Sequence, residues 1–197
     1  MDHGRTCTAT LVSPRIALTA AHCLYSQKLK QFVPARTVRL LFEYEAGNYN
    51  ILSRVANYEI GRGYDPENEL KTLGFDWAIL NLTENVSVSS TLSVSSETIP
   101  PGAEITLAGF HKGQAHVLSA DQHCKVVAIS GNVLLSTCMA THGDSGGPVL
   151  IKGPNQNYRI IGIEVGTVHT KAGLDYSASA ATSNSTFQNA MKSALSK

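Results

Sequence analysis

Short alternating or apolar runs bounded by turn residues recur along most of the chain, and they constrain its fold more than any other feature. They occupy 37–44, 76–82, 104–110 and 158–165. Segments rich in Gly, Pro, Asn and Asp separate them, for example KGPNQN. Short strands with regularly spaced turns are typical of β-barrels and β-sandwiches. The sequence therefore predicts an all-β protein.

One segment interrupts this strand pattern and divides the chain. From 83 to 96 the sequence reads TENVSVSSTLSVSS, which is rich in serine and poor in large apolar residues. The strand pattern restarts at Ile99, followed by two prolines and a glycine. We therefore predict one β-domain over 1–82, a linker over 83–98 and a second β-domain over 99–184.

Helical periodicity is found only at the C-terminus. Ser185 and Gln188 have the spacing of a capping box, in which both side chains bond to backbone N–H groups at the start of a helix. An apolar face then repeats at helical spacing through Phe187, Ala190, Met191 and Ala194. These features predict a helix over 185–197 that packs on a barrel.

Composition and charge limit the classes of partner. The chain has 197 residues, of which 43% are hydrophobic, and this is enough to build a sizeable core. Its net charge of +1, with no basic run, argues against binding to nucleic acid or to a membrane surface. No uninterrupted apolar run approaches the ~18 residues of a membrane-spanning helix. The first fifteen residues also lack the apolar segment of a signal peptide, so we expect either that a leader has been removed or that the protein is not secreted.

The four cysteines bear on the compartment in which the chain folds. None belongs to a C-x-x-C pair, so two disulfides are a better interpretation than a metal site, and three connectivities are open. A bridge that closes a loop of about 15 residues contributes roughly 3 kcal/mol in the chain-entropy model. Because disulfides form in oxidising compartments, we expect a secreted or periplasmic protein. The alternative is four free thiols in a cytosolic core.

The stretch THGDSGGP, at 141–148, places three glycines and a proline around Ser145. A serine hydroxyl is a weak nucleophile unless a base activates it and hydrogen-bond donors stabilise the oxyanion that forms. Glycine adopts dihedral angles that other residues avoid, so it lets backbone N–H groups converge on one point. The stretch therefore indicates a nucleophilic serine; a Gly-rich surface turn is the alternative.

Two further residues are candidates to activate this serine. His22, one of seven histidines, stands in the patterned stretch LTAAHC, where small residues and a cysteine give the rigidity that a general base needs. Asp76 begins the apolar run DWAILNL, and a carboxylate at such a position needs a hydrogen-bond donor, which an imidazole N–H could be. The alternatives are a core histidine bonded to the backbone and a carboxylate in a strand-end turn.

Three short motifs in this order carry a family resemblance: TAAHC at 19–23, DWAIL at 76–80 and GDSGGP at 143–148. They resemble the chymotrypsin/trypsin-like serine proteases, whose histidine, aspartate and serine follow this chain order, unlike those of subtilisins and α/β-hydrolases. The resemblance extends from about Cys7 to the C-terminal helix.

The resemblance implies two six-stranded antiparallel β-barrels with a catalytic cleft between them. It makes His22 the general base, Asp76 the carboxylate that orients it and Ser145 the nucleophile. It places the oxyanion hole at the backbone N–H groups of Gly143 and Ser145. Asp144 resembles the aspartate whose partner in trypsins is a newly cut amino-terminal amine.

A finer resemblance is to bacterial glutamyl endopeptidases, because a cysteine stands seven residues before the serine. It implies local disulfides, Cys7–Cys23 and Cys124–Cys138. It also implies a substrate pocket formed by Met139, Ala140, His142, Glu164, Gly166 and Thr167. That branch uses a histidine at the position of Glu164 to bind acidic side chains. We therefore expect Glu164 to disfavour acidic substrates. If it faces the pocket, we expect a preference for Lys or Arg; if it faces solvent, an apolar or small side chain is the alternative.

The leading hypothesis is a serine endopeptidase that hydrolyses peptide bonds through an acyl-enzyme. The alternative is a non-catalytic protease homologue that acts as a binding or scaffold protein. The expected partner is a protein or peptide substrate, and the oligomeric state is open. The histidines show no metal-ligand spacing, so neither a metal nor a cofactor is predicted.

Overall fold

Strands dominate the fold of this chain. The computed structural model describes residues 6–88, 91–153, 155–170 and 176–196. Its strands are β1 (Thr10–Ser13), β2 (Ile16–Thr19), β3 (Tyr25–Ser26), β4 (Gln31–Phe32), β5 (Arg39–Phe42), β6 (Ile51–Ile60), β7 (Ala78–Leu82), β8 (Ser93–Val94), β9 (Glu104–Gly109), β10 (Ser119–Ser130), β11 (Val133–Ser136), β12 (Pro148–Lys152), β13 (Tyr158–Thr170) and β14 (Tyr176–Ser183). The α-helices are α1 (Glu69–Thr72) and α2 (Asn184–Leu195), and 3-10 helices cover Ala21–Leu24, Ala35–Thr37, Leu73–Phe75 and Lys112–Gln114.

The N-terminal half forms an open antiparallel sheet. Its strand order is β1-β2-β7-β6-β5, and β3 pairs with β4 as a separate short hairpin. The outer edge of β1 is met by the linker, since the N–H of Leu92 donates to the carbonyl of Leu11 at 3.1 Å. A covered edge does not need a further strand as a partner.

The C-terminal half closes into a barrel. Its strand order is β12-β9-β10-β11-β14-β13, and β12 also pairs with β13, so six strands complete the ring. The short strand β8 adds to β13 in parallel, with Arg159 opposite Ser93. All other pairings in the barrel are antiparallel.

The predicted all-β, chymotrypsin-like fold with a C-terminal helix is confirmed. The predicted count of six strands holds for the C-terminal barrel, whereas the described part of the N-terminal half has five strands in an open sheet. The domain boundaries at 82, 98 and 184 stay a prediction. Within the predicted linker, β8 joins the C-terminal sheet, and residues 89–90 lie outside the described residues.

Three apolar clusters hold the molecule together. One fills the N-terminal sheet and another fills the C-terminal barrel. The third joins the halves, because Leu18 and Ile79 of the N-terminal sheet pack in one cluster with Ile160 and Ile163 of the barrel. Burial of apolar side chains contributes about 1.5–3 kcal/mol each. This shared core fixes the two halves against each other and so fixes any cleft between them.

Helix α2 packs into the core that the two halves share. Phe187 and Met191 are buried there, and Ala190 and Ala194 pack against it, as the apolar spacing predicts. The predicted capping box does not form, because the N-cap is Ser183 and makes no side-chain capping bond. The buried side chain of Asn184 donates to the carbonyl of Ser95 at 2.6 Å, and this contact anchors the first residue of the helix to the linker.

The structure contains both predicted disulfides. Cys7 pairs with Cys23, and Cys124 pairs with Cys138. The first joins the segment before β1 to the 3-10 helix that carries His22, and the second joins β10 to the segment that follows β11. Each bridge therefore fixes a segment next to a candidate catalytic loop.

Candidate active site

Strand register brings His22 and Asp76 together. Strands β2 and β7 are antiparallel, with Thr19 opposite Ala78. His22 follows the end of β2 by three residues, and Asp76 precedes the start of β7 by two. Both residues therefore lie at the same end of the sheet, although 54 positions separate them in sequence.

Asp76 holds the imidazole of His22 through two contacts. One carboxylate oxygen lies 2.6 Å from Nδ1 of His22, and the other accepts the backbone N–H of His22 at 2.8 Å. Asp76 is only 2% exposed, so water competes little for either oxygen. A carboxylate can only accept, so Nδ1 carries a proton and Nε2 is left as the basic nitrogen. An imidazole held in this way can serve as a general base.

The loop that carries Ser145 requires glycine at two positions. Gly143 has φ of 101° and Gly146 has φ of 82°, both in the left-handed region that side chains rarely adopt. A Cβ atom on Gly143 would lie 2.2 Å from the carbonyl oxygen of Phe110. A Cβ atom on Gly146 would lie 2.2 Å from the carbonyl oxygen of Thr8. Both positions therefore exclude any other residue without a shift of the backbone.

The backbone N–H groups of Gly143 and Ser145 donate no hydrogen bond to another group in the described part of the chain. The carbonyl groups of the same two residues do have partners: the N–H of Thr8 donates to that of Ser145, and the hydroxyl of Thr8 donates to that of Gly143. Two N–H groups on a loop held in this manner are available to an oxygen that gains negative charge.

A cleft of about 800 Å³ between the two halves contains these groups. His22, Cys7 and Glu69 line it from the N-terminal half, and Gly143 and Ser145 line it from the barrel. Five residues of the predicted substrate pocket line the same cleft, namely Ala140, His142, Glu164, Gly166 and Thr167. The structure thus brings His22, Ser145 and the predicted pocket residues into one cavity, with one exception in the pocket, and Asp76 lies buried behind His22.

Met139 is the exception to the predicted pocket. Its side chain is 83% exposed, and it lies at a second cavity of about 450 Å³ rather than at the cleft. Its neighbour Cys138 is buried in the barrel by the disulfide to Cys124. Successive side chains of an extended segment point to opposite sides, so the burial of Cys138 turns Met139 outward.

Glu164 takes an orientation that neither sequence-based alternative describes. The residue is 1% exposed, and both oxygens of its carboxyl group bond inside the protein. One oxygen accepts the N–H of Gly166 at 3.0 Å, and the other accepts the hydroxyl of Ser179. Burial raises the pKa of Glu164 to about 8, and these two hydrogen bonds only partly oppose that effect. Near neutral pH the side chain is mostly an uncharged acid, so direct repulsion of acidic substrates loses its basis.

This raised pKa makes stability depend on pH. Between the unfolded value of 4.5 and about 8, the native state binds more protons at Glu164 than the unfolded state does, so the free energy of unfolding should fall as pH rises through this window. In the parent protein the free energy of unfolding should decline by an amount on the order of a few kcal/mol across this window, and Glu164→Gln should remove that decline. Urea unfolding at pH 5 and pH 8, in a Ser145→Ala background to prevent autolysis, measures it.

The matched control for this stability measurement is Glu104→Gln, because Glu104 is an exposed glutamate on β9. It should unfold as the parent does at both pH values. A Glu164→Gln protein whose unfolding free energy still declined as steeply as the parent's would contradict the assignment.

Asp144 is a second buried carboxylate, next to Ser145. It is 4% exposed, and one oxygen accepts the N–H of Thr141 at 2.9 Å. Burial raises its pKa, and the hydrogen bond from Thr141 and the nearby His111 oppose this effect. Asp144 also lines the second cavity. The described residues contain no amine bonded to Asp144, and the amine partner stays a prediction.

Thr8 is a site residue that sequence reasoning missed. Its N–H donates to the carbonyl of Ser145 at 2.9 Å, and its hydroxyl donates to the carbonyl of Gly143 at 2.9 Å. The same hydroxyl accepts the N–H of Phe110 at 3.0 Å. Thr8 thus ties the N-terminal half to the nucleophile loop. Its only sequence signal is its position next to Cys7, which does not distinguish it from any threonine in a strand.

Replacement of Thr8 by valine keeps the shape of the side chain and removes the hydroxyl. The carbonyl of Gly143 and the N–H of Phe110 would both lose a partner, which costs about 1–3 kcal/mol for each buried group. We expect kcat to fall about tenfold or more through displacement of Gly143. Thr8→Ser, which keeps the hydroxyl, should retain most of the rate. Wild-type kcat in purified Thr8→Val would contradict this role.

A metal site finds little support in the described residues. The group that comes closest to ligand geometry is Cys7, His22 and Cys23. Both sulfurs of this group are bonded to each other, so neither can be a thiolate ligand. Within the described residues no helix has the length and apolar character needed to cross a membrane.

Comparison with known proteins agrees with the geometry of the cleft. The serine protease SP24D of Anopheles gambiae is 27% identical over 179 residues, covering 80% of this chain. The chain spans 61% of the length of that relative. The family described as Trypsin matches residues 1–189, which include His22, Asp76 and Ser145. The chain therefore belongs to the trypsin family of serine proteases.

Proposed function

We propose that this protein is a serine endopeptidase that acts through an acyl-enzyme on Ser145. The observation that carries the proposal is the contact between Nδ1 of His22 and the buried Asp76, because His22 lines the same cleft as Ser145 and Gly143. Membership of the trypsin family supports the same class of reaction. Membership of the trypsin family also supports protein or peptide as the substrate class.

The proposed reaction has two halves. Nε2 of His22 takes the proton of the Ser145 hydroxyl as Oγ forms a bond to the substrate carbonyl carbon. The carbonyl oxygen becomes an oxyanion that accepts from the N–H groups of Gly143 and Ser145. The C–N bond then breaks, and His22 gives its proton to the leaving amine. Water repeats the sequence on the ester, releases the acid and restores the hydroxyl of Ser145.

Asp76 contributes to both halves without exchanging a proton. Its carboxylate fixes the tautomer of His22 and stabilises the imidazolium that forms after each proton transfer. Because Asp76 is almost fully buried, its attraction for that cation is stronger than it would be in water.

The branch, the pocket and the compartment belong to the same proposal. The finer resemblance to bacterial glutamyl endopeptidases gains no support from the relative reported above, which is an insect protein. The two disulfides favour an oxidising compartment, so we propose a protein that works outside the cytosol. The pocket proposal keeps Ala140, His142, Gly166 and Thr167 as residues that face the substrate.

A fluorophosphonate probe tests this function directly. The probe phosphonylates only a serine that has been activated, so we expect the purified wild-type chain to be labelled at Ser145, as located by peptide mapping. A substrate-library digest on the same preparation should give cleavage within peptides and report the side-chain preference. A folded chain with both disulfides but no label would instead favour the non-catalytic binding protein.

A further inference from the structure

A β-bulge shapes the wall of the cleft. In the pairing of β13 with β14, Glu164 lies opposite Ala181 and Gly166 lies opposite Ala180, so Val165 has no opposite residue. A bulge of this kind disrupts the ladder of backbone hydrogen bonds and re-aims the strand. Here the N–H of Gly166 donates to a carboxyl oxygen of Glu164 at 3.0 Å. A side chain therefore replaces a backbone acceptor at the point where β13 begins to line the cleft.

The backbone of Glu164 is bonded to the nucleophile loop. Its carbonyl accepts the N–H of Gly146 at 2.7 Å, and its N–H donates to the carbonyl of Gly147 at 2.9 Å. Gly146 directly follows Ser145. One residue therefore connects the loop that carries the nucleophile with the wall that lines the cleft at Gly166.

Ser179 completes the arrangement from β14. It is 2% exposed, it lies opposite Thr167 in the sheet, and its hydroxyl bonds to the second carboxyl oxygen of Glu164. Both oxygens of the carboxyl group thus have a partner inside the protein. A buried carboxyl group that is bonded to two neighbouring strands in this way rigidifies its surroundings.

We propose that Glu164, together with Ser179, is a positioning residue that fixes the cleft wall at 165–167 relative to the nucleophile loop. This inference rests on the proposed peptidase function. Although Glu164 is part of the cleft lining, its carboxyl group is bonded inside the protein, and the pair determines how firmly Gly166 and Thr167 are held. The role differs from direct charge selection, because both carboxyl oxygens are engaged within the protein.

Ionisation of Glu164 should weaken this arrangement. A carboxylate at this depth loses hydration, and the charged group that acts on it is Asp144, whose negative charge repels it. Ser179 and Gly166 are the neutral groups that face it. The wall should therefore loosen as pH rises through about 8, the pKa of Glu164. Loss of substrate binding, rather than loss of nucleophile reactivity, is the expected sign.

The test compares two probes of different size on the same variants. Fluorescein-labelled casein needs the cleft wall, whereas a small fluorophosphonate needs only the triad and the oxyanion hole. Glu164→Ala should raise KM for casein about tenfold, with a smaller change in kcat and a labelling rate within about twofold of wild type. The exposed residue Glu104, changed to alanine, is the matched control and should leave both readouts unchanged.

The pH profile separates positioning from a merely structural role. Wild-type KM for casein should rise above about pH 8, where Glu164 ionises. Glu164→Gln should show wild-type KM at pH 7 and no alkaline rise. Its amide oxygen still accepts from Gly166, its NH₂ group can donate to the oxygen of Ser179 once that hydroxyl turns, and the amide cannot ionise. Ser179→Ala should raise KM at pH 7. An alkaline rise in Glu164→Gln as large as in wild type would overturn the proposal.

Two other outcomes also decide the question. If casein turnover and labelling fall in the same proportion in Glu164→Ala, the residue supports the fold as a whole and the proposal is wrong. If Glu164→Ala does not fold, the profiles of Glu164→Gln and Ser179→Ala decide alone. Absence of labelling in the wild type would defeat the proposed function instead, and this result is independent of any effect at Glu164.

Discussion

Turnover of casein is expected to disappear in Ser145→Ala, with a fall in kcat of about 10⁶-fold, because the variant lacks the nucleophile of the acyl-enzyme. The fold should remain intact, since Ser145 is only half-buried and alanine fits its backbone. His22→Ala should cost about as much, and the double variant should cost little more, because nucleophile and base act as one unit. Initial rates with casein, measured at high enzyme concentration, report these losses.

The control for this experiment is Ser87→Ala, an exposed serine of the linker. It should retain full turnover and full fluorophosphonate labelling. Circular dichroism and disulfide mapping should show that Ser145→Ala keeps the wild-type fold with Cys7–Cys23 and Cys124–Cys138. Turnover by purified Ser145→Ala that approached the wild-type rate would contradict the assignment of the nucleophile.

The second large effect is expected in Asp76→Asn, which changes one atom of a side chain that makes two contacts. Asparagine can still accept the backbone N–H of His22 through its oxygen, but its NH₂ group then faces Nδ1. That contact requires Nδ1 to be the acceptor, so the proton moves to Nε2 and the base is lost. We expect kcat to fall ~10⁴-fold, the size of loss that this change of tautomer causes in a Ser-His-Asp triad.

Asp65→Asn is the matched control for Asp76→Asn. Asp65 lies outside the cleft lining, in the turn before α1, and its pKa is lowered by hydrogen bonds from Asn68 and Glu67. It should lose a little stability and almost no turnover. Labelling of Asp76→Asn should slow with kcat, because both need the base. A kcat within tenfold of wild type in folded Asp76→Asn would show that Asp76 does not orient His22.

The features that could be predicted from sequence are those encoded in short stretches. The alternation of apolar and polar residues, together with the turn residues between the runs, indicated strands. The apolar spacing of Phe187 and Met191 indicated the face that α2 buries. The motifs around His22, Asp76 and Ser145 are each short and local, so a resemblance in all three was sufficient to predict the candidate catalytic residues. The disulfide partners predicted from the finer resemblance are present in the structure, although the bacterial branch itself gains no support.

The features that could not be predicted depend on contacts between distant segments. The orientation of Glu164 follows from a bulge in β13 and from Ser179 on β14, and neither leaves a pattern around position 164. Thr8 bonds to the carbonyl of Gly143, which lies 135 positions further along the chain. The exposure of Met139, which follows the end of β11, depends on how its disulfide-bonded neighbour Cys138 packs in the barrel. Each of these features depends on tertiary packing, which cannot be predicted from the short stretch of sequence around the residue.

Helix α2 has a consequence for biosynthesis. Phe187 and Met191 complete the core in which the N-terminal sheet meets the barrel, and they follow all three candidate catalytic residues in the chain. Domains generally fold as units during synthesis, N-terminal first, so the N-terminal sheet can form before the barrel is complete. The core that the two halves share is completed only after α2 has been made, and therefore after His22, Asp76 and Ser145 are already in the chain.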